Sequence, residues 1–145
     1  MASNPKFSDK VLEIYVDGAS RGNRGPSAYA FIFIKKGERQ THQGCGYIGE
    51  QTNNIAEYIA IINALKAAEK FTHGKLKIFS DSQLVIRQIK KQYKIKAEHL
   101  SKLCEEVYHL SNKFDKVEFF NVKRENPIIQ KCDALCNNCL DEMGF

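Results

Sequence analysis

From Val11 to Asp17, apolar Leu12, Ile14 and Val16 alternate with Glu13, Tyr15 and Asp17. This two-residue period is that of a strand with one face on a core. It lifts Asp17 to the strand's end, away from the Leu12 face, and the chain then breaks into Gly18-Ala19-Ser20-Arg21-Gly22-Asn23-Arg24. Gly18 and Gly22 supply the backbone freedom of a tight turn, and Ser20, Arg21, Asn23 and Arg24 surround the carboxylate with groups that bind anions or sugar hydroxyls. Residues 28 to 34, Ala-Tyr-Ala-Phe-Ile-Phe-Ile, are apolar on both faces, as a central strand is, and Lys35-Lys36-Gly37-Glu38 predicts a hairpin turn. Arg39 to Ile48, with Thr41, Cys45, Tyr47 and two glycines, suits a weaker edge strand.

The period changes after the punctuation of Gly49-Glu50-Gln51-Thr52-Asn53-Asn54. Tyr58, Ile61, Ile62, Leu65 and Ala68 recur at helical spacing and predict a helix from Asn54 or Ile55 to Lys70. Lys75 to Asp81 reads as a fourth strand, again ending in a carboxylate, and Ser82 to Lys90 as a short helix. Leu100, Leu103, Cys104, Val107 and Leu110 mark an amphipathic helix, and Lys116 to Val122 a fifth strand. A loop over Lys123–Gln130 then leads to a last helix from Lys131 to Met143. Three hairpin-joined strands followed by helix-connected ones predict an α/β fold. Its five-stranded mixed sheet has three antiparallel strands and then parallel ones, flanked by helices.

Composition changes this picture little. The 145 residues, 43% hydrophobic and 27% charged, fit one globular domain over residues 11–145 behind a flexible polar tail over residues 1–10. No apolar run approaches a membrane span, and the first residues lack a secretory signal. A monomer with no membrane partner is expected. The net charge of +5 permits a polyanionic partner without requiring one. Five cysteines without secretory context favour free thiols in a reducing cytoplasm.

Candidate chemistry lies in four carboxylates. If the first and fourth strands are parallel neighbours, Asp17 and Asp81 meet at their carboxyl ends, where like charges repel unless a cation intervenes. Glu57 near the start of the long helix and Asp133 near the start of the last one can reach the same crevice. Oxygen-only ligands suit Mg²⁺ or Mn²⁺, and two such ions about 3.5–4 Å apart support phosphodiester hydrolysis. Each acid also has a plainer reading. Asp17 can close a turn, Asn54-Ile55-Ala56-Glu57 matches a capping box, and Asp81 and Asp133 suit helix N-termini. The joint pattern, with Ser20, Asn23, Asn53, Asn54 and Gln83 nearby as hydroxyl and amide groups, favours a site.

Four stretches occur in the order of the type 1 ribonuclease H signatures, which they resemble. They are Tyr15-Val16-Asp17-Gly18-Ala19-Ser20-Arg21-Gly22-Asn23-Arg24-Gly25-Pro26, Thr52-Asn53-Asn54-Ile55-Ala56-Glu57, Ser80-Asp81-Ser82-Gln83-Leu84-Val85 and Cys132-Asp133-Ala134-Leu135-Cys136-Asn137. The resemblance implies Mg²⁺- or Mn²⁺-dependent cleavage of the RNA strand of RNA–DNA hybrids, with Asp17, Glu57, Asp81 and Asp133 as the metal-binding catalytic acids. It further implies minor-groove contacts from Ser20, Asn23, Asn53, Asn54 and Gln83, where 2′-hydroxyls distinguish RNA from DNA, and a hybrid contact from Gly18. Thr52 would help hold a DNA phosphate.

Three departures qualify this. Many members carry a His before the last Asp, and residues 123 to 131 contain none. Val122-Lys123-Arg124-Glu125-Asn126 is closer to an archaeal and bacterial subgroup with Arg there. Arg124 can hold a phosphate or an outgoing strand but cannot act as a general base, and the resemblance adds double-stranded RNA as a second candidate substrate. Arg24 stands where Pro is usual. The long basic protrusion of some members is missing, leaving Lys90, Lys91, Tyr93, Lys94 and Lys96 to track a phosphate backbone or to form a solvated loop.

Cys132, Cys136, Cys139 and Met143 fall on one helical face, which favours a core stripe over iron–sulfur ligation. A disulfide to Cys45 or Cys104 stays open. The four histidines are scattered as surface residues are. The alternative to an enzyme is a hybrid- or double-stranded-RNA-binding module on the same fold that has lost turnover.

Overall fold

A computed structural model describes residues 11–35 and 40–145. The expected tail and the expected hairpin turn after Lys35 lie outside the described residues. The elements run β1 (Leu12–Ser20), β2 (Gly25–Lys35), β3 (Gln40–Gln51), α1 (Asn53–Ala68), β4 (Lys75–Ser80), α2 (Gln83–Ile89), α3 (Glu98–Ser111), β5 (Lys116–Asn121) and α4 (Pro127–Glu142). They build one sheet in the order β3-β2-β1-β4-β5. β1 pairs antiparallel with β2, from Leu12 opposite Lys35 to Ser20 opposite Ser27, and parallel with β4. β4 pairs parallel with β5. The mixed sheet expected from the pattern is therefore the one observed, with β1 at its centre and the glycine-bearing β3 at an edge.

Two helix-bearing layers cover the sheet. On one face, Leu12, Ile14, Val16, Leu76 and Ile78 pack against Ile61 and Leu65 of α1 and Val107 of α3 in the larger core. On the other, Ala28, Ala30 and Ile32 of β2 meet Cys132, Cys136 and Leu140 of α4. Small residues on both sides of that second contact let α4 approach the sheet closely. All five cysteines are free thiols, so neither a disulfide to Cys45 nor one to Cys104 is made. Cys132 and Cys136 are fully buried, whereas Met143, at the helix end, is 53% exposed and leaves the expected stripe. The four histidines are exposed.

Several boundaries differ from the pattern-based ones. α4 begins at Pro127, four residues before the expected Lys131, because Asn126 caps it. The Asn126 side chain accepts hydrogen bonds from the amides of Ile128 (2.9 Å) and Ile129 (3.2 Å), and Pro127 fits the first turn, where its missing N–H is no loss. Asp133 consequently sits well inside the helix rather than at its start. β1 runs on through Ser20 because β2 continues to pair with it, so Gly18 is a strand residue and not part of the turn.

Candidate active site

The register of β1 on β4 decides where the acids meet. Tyr15 stands opposite Phe79, and the two strands part just beyond, so Asp17 and Asp81 each lie two residues past the last matched pair. Gly18 then brings in the third acid. A Cβ on Gly18 would lie 2.2 Å from the carbonyl carbon of Ala56, so only glycine lets α1 cross β1 this closely. At that crossing the Gly18 amide donates to Glu57 Oε1 (2.5 Å), and the Ser80 hydroxyl donates to Oε2 (2.8 Å). Glu57 is buried and faces the strand ends, which excludes the capping-box alternative; Thr52 caps α1 instead, its Oγ1 accepting from the amide of Ile55.

Carboxylate oxygens of Asp17, Glu57 and Asp81 all lie within 4.8 Å of one another. Asp17 and Glu57 are buried and Asp81 half-buried. Burial, the neighbouring Glu57 and the charges of Asp81 and Asp133 push the Asp17 carboxyl upward. Burial also raises Glu57, against the hydrogen bonds it accepts. Burial raises Asp81 too, opposed by the Arg124 guanidinium, whose Nε lies 3.9 Å from Asp81 Oδ2. Three crowded carboxyls with no His or Cys ligand, each raised toward its neutral form, make a set that a hard divalent cation would relieve. The donor set fits such an ion.

The three acids open into a cavity of about 500 Å³ that is also lined by Gly18, Ser20, Asn53, Asn54, Arg124 and Asp133. Asp133 is exposed and lies outside the tight cluster. Asn137, one helical turn on, donates through Nδ2 to the Asp133 carbonyl (3.0 Å) and to its Oδ2 (3.4 Å). Asn137 and Ser80 were not singled out as site residues by the sequence pattern. The signal for Asn137 is its place four residues after Asp133 on the same face.

The turn after β1 is latched to the start of α1. The Ser20 amide donates to Asn53 Oδ1 (3.0 Å), and the Asn53 amide donates to Asn23 Oδ1 (2.9 Å). Gly22 (φ 88°) and Asn23 (φ 41°) take left-handed conformations, as a glycine and an asparagine readily do. Asn23, Thr52 and Gln83 lie outside the cavity lining, Asn23 and Gln83 exposed and Thr52 in its capping role. Arg21, expected to face an anion, lines the cavity but commits its guanidinium to α4, where it pairs with Asp141 at 2.8 Å. Lys90, Lys91, Tyr93, Lys94 and Lys96 are exposed. Tyr93 there is held by Arg87, whose Nη1 donates to its hydroxyl at 3.0 Å and whose guanidinium lies 5.2 Å from its ring centre.

A family model described as reverse transcriptase-like matches residues 15–139. The chain is similar to a ribonuclease HI of Halobacterium salinarum, 35% identical over 131 residues, 90% of this chain and 65% of that protein. It is also similar to the bifunctional protein Rv2228c of Mycobacterium tuberculosis, 32% identical over 88% of this chain and 35% of that protein. It thus spans under two thirds of the length of both. Among solved structures, RNase H1 of Halobacterium salinarum superimposes with a TM-score of 0.87 at 34% identity, over 91% of this chain and 98% of that one. LC11-RNase H1 in complex with an RNA/DNA hybrid superimposes with a TM-score of 0.85 at 29% identity, over 92% and 99%.

Proposed function

This chain belongs to the ribonuclease HI family, and from that membership we propose that it is a metal-dependent endoribonuclease that hydrolyses the RNA strand of RNA–DNA hybrids. The observation that carries the reading is the convergence of Asp17, Glu57 and Asp81 within 4.8 Å at one mouth. An acid cluster left intact argues against a binding module without turnover. In this reading Asp17, Glu57 and Asp81 would hold one Mg²⁺ or Mn²⁺, and Asp133 would share in holding a second. When bound, the ions supply Lewis-acid charge to the reacting phosphodiester and its attacking water.

The chain's own residues do the rest. The Gly18 amide and the Ser80 hydroxyl hold Glu57 in one orientation, so the acid cluster is formed before substrate arrives. Ser20, Asn53 and Asn54 line the cavity and present hydroxyl and amide groups to the wide, shallow minor groove where 2′-hydroxyls are displayed. The hydrogen bonds among Ser20, Asn23 and Asn53 keep that surface rigid. Arg124, 89% exposed at the rim, offers a fixed positive charge to a phosphate and takes no proton from water. With no His there, we extend the proposal to double-stranded RNA as a second substrate. Exposed Lys90, Lys91, Lys94 and Lys96 supply the remaining phosphate contacts. The five free thiols fit a reducing cytoplasm, and the proposed working unit is a monomer. Among the described residues no helix is long and apolar enough to cross a membrane.

The test is cleavage of end-labelled RNA–DNA hybrid, double-stranded RNA and double-stranded DNA with Mg²⁺ or Mn²⁺, using Asp17→Asn as control. Cutting confined to RNA strands and lost in the variant supports the proposal. Binding of hybrid without cutting by the unaltered protein would overturn it.

A further inference from the structure

Of the four acids, Asp133 alone is exposed, and it lies outside the tight cluster of the other three. Among the described residues its one side-chain partner is the Asn137 amide, and that amide has a partner of its own. Arg21 Nη2 donates to Asn137 Oδ1 (3.3 Å), to the Asn137 carbonyl (3.3 Å) and to Asp141 Oδ1 (2.8 Å). The other end of the guanidinium donates to the Phe145 carbonyl. A side-chain amide has one acceptor end and one donor end. With the guanidinium fixing Oδ1, Nδ2 must point the other way, to the Asp133 carbonyl (3.0 Å) and to its Oδ2 (3.4 Å). If the amide turned over, its oxygen would face a carboxylate and its nitrogen a guanidinium, and both contacts would become repulsive.

Arg21 is itself held on a stiff base. Its amide donates to the Pro26 carbonyl (2.9 Å), and a Cβ on Gly25 would lie 1.9 Å from its carbonyl oxygen. The same turn is fastened to α1 through Asn23 and Asn53. It therefore bridges the helix bearing Glu57 and the helix bearing Asp133.

We infer that Arg21 is a positioning residue: through the Asn137 amide it sets the direction in which the Asp133 carboxylate faces the acid cluster. This rests on the reading of Asp133 as a catalytic acid. Arg21 lines the cavity, but its guanidinium is committed to Asn137, Asp141 and Phe145. It acts as a polar relay from guanidinium to amide to carboxylate.

Kinetics on the hybrid and spectra of the metal-free protein test this together. Arg21→Ala and Asn137→Ala are each expected to lower kcat by about 10-fold or more with KM little changed, as loss of an orienting partner does. The double variant should be no worse than either single one, and Arg21→Ala should add nothing in an Asp133→Asn background. In the metal-free ¹⁵N-labelled protein, the Asn137 side-chain amide protons should be protected from exchange and lose that protection in Arg21→Ala. Asp141→Asn keeps the Arg21–Asn137 contact, so it should lower Tm yet leave kcat and the amide signal unchanged.

Additive losses would overturn the relay. So would a raised KM at unchanged kcat, which would make Arg21 a phosphate contact, or equal damage from Asp141→Asn, which would make it a stability anchor. An Asp133→Asn variant with full activity would instead refute the role of Asp133, while the amide spectrum would still report whether Arg21 orients Asn137.

Discussion

The two sides of the cavity are built by different means. Asp17, Glu57 and Asp81 are placed by the main chain, through the β1–β4 register, the close crossing at Gly18 and an amide aimed at Glu57. Asp133 and Arg124 are exposed and placed by side chains, Asp133 by Asn137 and Arg124 by its 3.9 Å approach to Asp81. Backbone placement survives most substitutions around it but leaves no room for adjustment. Side-chain placement can be retuned, and each link can be lost alone. The buried wall should therefore fail completely when touched and the exposed rim by degrees.

The largest effect expected is at the buried wall. Asp17→Asn should reduce hybrid cleavage by on the order of 10³-fold, as loss of a central charged group in a preorganised site does. The same change removes a carboxylate from a crowded, buried cluster, so the metal-free variant should melt above the unaltered protein in a thermal scan. A lower melting point would show that Asp17 is a structural partner and not a strained one. Next comes Gly18→Ala, whose new methyl group would meet the Ala56 backbone at 2.2 Å. It should cost about 3 kcal/mol, read as a fall in Tm on the order of 10 °C, and should remove activity by displacing Glu57.

The rim should be milder. Asp133→Asn is expected to lose about 10- to 100-fold in kcat, less than Asp17→Asn, and equality of the two would erase the distinction between wall and rim. Arg124→Ala should cost about 10-fold. It should also move the acidic limb of the pH–rate profile upward, because the guanidinium that opposes the rise of the Asp81 carboxyl is gone. An unmoved limb would separate Arg124 from Asp81.

The smallest effect is on stability against pH. Glu57 is pushed up to about 7 by burial, and Asp17 is raised with it. An acid with a raised folded-state pKa binds more protons folded than unfolded, so stability falls as pH climbs from about 4, the unfolded carboxyl value. The metal-free protein should thus lose stability from about pH 4 through 7, where Glu57 ionises, and on toward about 10, where Asp17 does, and Mn²⁺ should restore it. A flat metal-free profile would mean that the acids are not in conflict.

What the amino-acid pattern revealed follows the same division. Two strands, each ending in a carboxylate at Asp17 or Asp81, were readable, because strand ends and parallel pairing follow from local period and connection type. Glu57 could not be separated from a capping residue, since its true partners, Gly18 and Ser80, come from distant strands. Gly18 carried the signal of a turn and serves a helix crossing instead, because a glycine's need for space depends on what passes over it. Asn126-Pro127 is a local signal for the start of α4, but it stands in a polar stretch that reads as a loop over Lys123–Gln130. The Arg21–Asn137 link joins residues that no local period relates.

The parallel pairing of Leu12 with Leu76 through Tyr15 with Phe79 also has a kinetic side. The β1–β2 hairpin can zip from nearby residues, but this ladder must wait until a long intervening segment has been brought round. Until that closure, Asp17, Glu57 and Asp81 are ordinary solvated charges on separate pieces of chain. Their mutual repulsion arises only once β1 and β4 have joined, so it burdens the folded state more than the early path to it.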